Sequence, residues 1–206
     1  MRATTLRRLT IAVSVFAVVA ASIPAFAYCL TGVKWASDAT IRYNSSGKVT
    51  SGQCISSAQM DSNVTGTAIS GWRTLVYGGT TSARPNRRDG TNTVGWAKLG
   101  GQTLGITNYL SYGSPILTCG GNSFQSLFEA DVRLTTSYRW TGSGGSCPCA
   151  AGSAIYLNGV AQHEFGHVAG LCHVNQPSSL MYPSFGVCEN KSKGSDENAG
   201  ENALCY

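Results

Sequence analysis

The stretch that most constrains this chain is His163-Glu164-Phe165-Gly166-His167-Val168-Ala169-Gly170-Leu171-Cys172-His173. It reads H-E-x-x-H-x-x-G-x-x-H, and its histidines are the only three in the 206 residues. On a helix, His163 and His167 stand at i and i+4 and project from one face about a turn apart. That spacing suits two ligands of one tetrahedral zinc. Glu164 follows the first ligand and is placed to take a proton from a water at the metal rather than to bind it. Gly170 can adopt positive φ, so the helix can end there and the chain can return His173 as a third ligand. The fourth position stays open, as in a catalytic rather than a structural site.

A bare H-E-x-x-H can also be a packed or surface pair of histidines. A glycine and a third histidine at fixed offsets make the extended form far more specific. Cys172 within the motif could serve as a fourth ligand, which would close the site. Alternatively it forms a disulfide that clamps the turn delivering His173.

With these residues the chain resembles the metzincin metallopeptidases, in which a methionine-bearing turn follows the third ligand. Ser179-Leu180-Met181-Tyr182-Pro183 is similar to that turn, with Met181 as its methionine. A soft thioether packs well beneath imidazoles. Leu180 to Pro183 with Ser184-Phe185 is most similar to the matrixin branch, whose Pro-x-Tyr segment walls the main specificity pocket; Phe185 takes the tyrosine position. Pro183 stands where other branches carry a tyrosine ligand, so none is expected here. Val174 departs from the Ser or Thr usual in matrixins. The resemblance implies pocket residues Gly159, Tyr182 and Phe185. Gly159 either leaves the pocket deep or simply allows close backbone packing.

Residues 1–27 have the pattern of a secretory signal: Arg2, Arg7 and Arg8, an apolar run over 9–21, then Ala25-Phe26-Ala27 as a cleavage site. The run is shorter than the ~20 residues that span a bilayer. The expected exported domain is 28–206, a single unit with a substantial core. Of fifteen Lys and Arg, three lie in the signal, leaving twelve against ten Asp and Glu. A near-neutral domain gives no reason to expect nucleic-acid or membrane partners. Arg84-Pro85-Asn86-Arg87-Arg88 reads as a solvated basic loop. All eight cysteines (29, 54, 119, 147, 149, 172, 188, 205) follow the signal, which favours up to four disulfides of unspecified connectivity. Cys147 and Cys149 are expected to pair elsewhere than with each other.

The expected elements are a strand over 35–44, a helix over 56–75 weakened by Gly66 and Gly71, strands over 93–97, 104–109 and 128–134, and a last helix N-capped by Ser195. By resemblance the fold class is α+β, a metzincin-like catalytic domain. Its sheet is twisted and mostly parallel, with an active-site helix and a short C-terminal subdomain. The family's cysteine-switch segment is not found, and no histidines remain for a second structural zinc. Calcium at Glu129 or Asp131 is allowed by resemblance, against a plain solvated or salt-bridged pair. The resemblance implies one catalytic zinc, protein or peptide substrates and a secreted, monomeric endopeptidase. The alternative is a secreted zinc-containing binding module with the same fold and no turnover.

Overall fold

The computed structural model describes residues 28–142 and 154–206. The signal assigned to 1–27, and Cys147 and Cys149, lie outside the described residues. Six strands form one sheet: β1 (Val33–Lys34), β2 (Ala39–Tyr43), β3 (Leu75–Thr80), β4 (Asn92–Ala97), β5 (Gly105–Cys119) and β6 (Asn122–Thr135). Along β1-β6-β4-β2-β3 every pairing is parallel, and β5 runs antiparallel to β6. The expected mostly parallel α+β architecture is therefore present. β7 (Arg139–Thr141) and β8 (Ala154–Tyr156) make a small parallel pair leading into α3 (Leu157–Val168).

Strand β2 has the period-2 pattern of a sheet covered on one face. Ala39, Ile41 and Tyr43 are buried while Thr40 and Arg42 are exposed. The helix expected over 56–75 is shorter and is followed by a strand. Helix α1 (Ser57–Thr65) begins with a capping box: Ser56 Oγ accepts from Gln59 N, and Gln59 Oε1 accepts from Ser56 N. Met60 and Val64 bury its inner face before Gly66 breaks it, and α2 (Thr67–Ser70) adds one turn. Leu75 then opens β3, because its backbone pairs with Ala39 of β2. The strand expected over 35–44 is shorter, confined to 39–43. Trp35 leaves the sheet to donate its indole N–H to Val168 O at 2.8 Å, tying β1 to the end of α3.

Two outer carboxylates of β6 anchor the loop before β4. Asp131 accepts from the N–H groups of Asn86, Arg87 and Thr93 at 2.6, 3.1 and 2.9 Å, and Glu129 accepts from Gly90 N at 2.6 Å. Burial still pushes the Asp131 carboxyl up to about 6, against those three donors. The basic loop thus keeps its arginine side chains in solvent while its backbone is held down.

Helix α3 is buried on nearly every side, including Leu157, Val160, Ala161, Phe165 and Val168, as befits a core helix. Trp72 reinforces it by donating its indole N–H to Gln162 O at 3.2 Å. The last helix, α4 (Ser195–Ala203), is capped by Gly194, not Ser195. Glu197 Oε2 reaches back to accept from Gly194 N at 2.8 Å, so the helix start needs no hydroxyl cap.

Candidate metal centre and cleft

His163 and His167 both project from α3, as their spacing predicts. The helix then ends in a Schellman motif centred on Gly170 at φ 103°. Gly170 N donates to His167 O at 3.0 Å, and Leu171 N donates to Gly166 O at 2.9 Å. A Cβ on Gly170 would also lie 2.6 Å from Val33 O, so only glycine fits both the conformation and the space. The reversed chain carries His173 back beneath the helix.

An N-terminal strap fixes this turn. Leu30 bridges to Leu171, Thr31 N donates to Gly170 O, and Cys172 N donates to Cys29 O. The Cys29–Cys172 disulfide locks it, so Cys172 clamps the turn and is not a fourth ligand. A second bridge joins Cys119 to Cys205. Cys54 and Cys188 are disulfide-bonded too, and no described cysteine is free.

The three imidazoles converge. His173 Nε2 lies 3.1 Å from His163 Nε2 and 3.0 Å from His167 Nε2. His163 Nδ1 is 2.7 Å from Leu180 O, and His167 Nδ1 is 2.8 Å from Leu171 O. Carbonyl oxygens only accept, so each Nδ1 carries the proton and each Nε2 presents a lone pair. Burial, with repulsion from the neighbouring histidines, depresses His163 to about 3; burial is also the main cause that brings His167 to about 4. With His173 in the same Nδ1-protonated form, the three Nε2 lone pairs would share one cation. The spacing is close to the ~3.3 Å expected between nitrogens around tetrahedral zinc. Among the described residues, these three are the group able to hold a metal ion. The residues present therefore fit zinc.

Met181 lies below α3, where a Cβ on Gly166 would run into its sulfur. The turn is pinned from α4: Glu197 Oε1 accepts from Ser179 Oγ at 2.6 Å and from Met181 N at 3.3 Å. Sequence reasoning did not single out Glu197, since nothing local pairs it with a turn sixteen residues earlier.

Glu164 is only 5% exposed, and burial lifts its carboxyl to about 7, with the Thr107 hydrogen bond pulling the other way. It points toward β5, not into the ring of nitrogens. Thr107 Oγ1 lies 2.7 Å from Glu164 Oε2 and 3.0 Å from Glu164 O. The sequence reading missed Thr107, which is 57 residues away and bears no motif.

The site opens on a cleft of about 720 Å³ whose lining includes His163, Glu164, His173, Leu104, Val160 and Phe185. Phe185 meets the His163 ring edge-on, with centroids 5.6 Å apart. Tyr182 is not among the residues that line the cleft; its ring lies 4.8 Å from Lys191 Nζ, which is also 4.9 Å from the Phe185 ring. Gly159 faces the same wall: a Cβ there would lie 3.1 Å from Phe185 Cε1 and 3.0 Å from Lys191 O. The space over Gly159 is thus filled by its neighbours, the arrangement of close packing.

A mixed sheet, a buried helix carrying two histidines, a third histidine after a glycine turn and a methionine turn beneath them make up a metzincin-like domain. More narrowly, residues 116–201 match the matrixin family model, which supports a matrixin-type domain and, at family level, a zinc metalloprotease. No curated protein matches the chain.

Proposed function

We propose that this chain is a secreted, monomeric zinc endopeptidase with Glu164 as general base. The observation that carries the reading is the convergence of three Nε2 atoms beside a buried carboxylate, on the wall of an open cleft. Zinc held by His163, His167 and His173 would polarise the scissile carbonyl and lower the pKa of a water. The Glu164 carboxylate takes the proton of the attacking water and returns it to the leaving amine nitrogen. Burial lifts this carboxyl to about 7 in the metal-free protein, and a bound zinc would draw it down and favour the ionised base.

The substrate side follows from the cleft. Among the described residues β5 pairs with β6 alone, so its other edge can accept an extended peptide as an added strand. Tyr138, Ile155, Val160, Phe185 and Val187 line the cleft and favour an apolar side chain next to the cut. Export is supported by the disulfides and by residues 1–27 as a signal; no described helix is long and apolar enough to cross a membrane.

The test is casein or peptide hydrolysis by the purified exported product. Loss of activity with a zinc chelator and its return with one equivalent of zinc are expected. Hydrolysis unaffected by full metal removal would overturn the reading.

A further inference from the structure

We infer that β5 builds the seat of the general base: Thr107 is a positioning residue that orients the Glu164 carboxylate, and Gly105 leaves the space it occupies. The inference rests on the endopeptidase reading and adds residues outside the zinc motif. Thr107 Oγ1 lies 2.7 Å from Glu164 Oε2, within reach of a charge-assisted hydrogen bond. The same oxygen is 3.0 Å from Glu164 O, so one hydroxyl touches both ends of the residue.

Two positions earlier, on the same face of the strand, Gly105 supplies the other half of the seat. A Cβ there would lie 2.5 Å from Glu164 Oε1, 2.7 Å from its Cγ and 2.8 Å from its Cδ. The carboxylate is thus held through one oxygen and given room at the other. Among the described residues no other side chain or backbone group donates to this carboxylate. Pairing of Gly105 with Leu134 and of Thr107 with Val132 fixes the strand against β6, so the seat is rigid. A swinging carboxylate would reach the proton-transfer geometry less often, which lowers kcat without changing how substrate binds.

The experiment compares Thr107→Val, Thr107→Ser and Gly105→Ala in the exported protein. Each is measured for zinc content, melting of the metal-free form, kcat and KM on one peptide, and affinity for acetohydroxamic acid. That acid ligates zinc while giving its proton to a nearby carboxylate, so it reads the seat without turnover. Thr107→Val should bind one zinc, melt within about 5 °C of wild type, keep its KM, and lose about tenfold in both kcat and hydroxamate affinity, the scale of one hydrogen bond to a charged group. Thr107→Ser, which keeps the hydroxyl, should stay within about twofold of wild type. Gly105→Ala should lose at least as much as Thr107→Val.

Wild-type kcat and hydroxamate affinity in zinc-loaded Thr107→Val would overturn the seat while leaving the peptidase reading intact. A Thr107→Ser loss equal to that of Thr107→Val would also overturn it, pointing to packing by the methyl group. Should wild type cleave nothing while the hydroxamate series follows the predicted order, the seat would stand and the peptidase reading would fall.

Discussion

Glu164 combines deep burial with proximity to three imidazoles, and the cost of its charge is measurable without any substrate. Its folded pKa is raised to about 7 from 4.5, so the folded metal-free protein holds that proton more tightly than the unfolded chain. Stability is therefore lost as pH rises through about 7, and the loss is absent below about 4.5. Gln at this position carries no such charge. Metal-free Glu164→Gln should be more stable than wild type at pH 8, by on the order of 3 kcal/mol at most, with the advantage gone by pH 4.5. Denaturant midpoints across that range check it; a constant difference would contradict the burial account. The metal ligands test the other side of the site: His173→Ala should bind zinc far more weakly than wild type, read by competition with a chromogenic chelator. At this scale legibility was uneven. The histidines and Glu164 are readable because a helix, a turn and short offsets place them locally, and Met181 through the family resemblance those residues carry. Thr107, Gly105 and Glu197 reach the site only through pairing of distant strands and helices, which no spacing encodes.

The element that delivers His173 is a turn held by a glycine, two hydrogen bonds and a disulfide. Gly170→Ala would force an L side chain into φ 103° and against Val33 O. A loss of about 2 kcal/mol or more is expected from strain and clash together, with weaker zinc binding; chemical denaturation and metal competition check both. Replacing Cys29 and Cys172 by Ser removes a link closing 143 residues and should cost roughly 2–5 kcal/mol. Zinc affinity should fall with it, because the strap no longer holds the turn. Unchanged affinity in a folded double variant would show that the turn is set by Gly170 alone. Element boundaries were legible where local signals were strong, as at the Ser56 capping box. β3 was hidden because Leu75 closes the segment read as a helix, and Gly78 and Gly79, which weaken a strand, follow soon after. β5 runs past Gly113 and Pro115, residues that normally end strands, because β6 pairs with it on both sides of that irregular stretch.

Across the whole molecule, the sheet holds α3 on one side while the C-terminal segment closes beneath the metal centre. Glu201, fully buried on α4, joins these parts: it accepts from Arg73 N at 2.8 Å and pairs with Lys193. Lys193 Nζ in turn lies 4.7 Å from the Trp72 ring centroid. The mixed α+β class and mostly parallel sheet were legible through the resemblance carried by the zinc motif. The antiparallel hairpin of β5 and β6 was not, since two weak strand signals do not reveal that they form one long ribbon. The central claim, that this assembly turns over peptide bonds with zinc and Glu164, is tested most directly by one comparison. Wild type and Glu164→Gln, each verified to carry one zinc, are assayed for kcat/KM on a common peptide library. Cleavage by wild type and a loss of at least ~10²-fold in the variant are predicted, the usual scale for a positioned proton-transfer group; equal rates, or no cleavage by zinc-loaded wild type, would contradict the account.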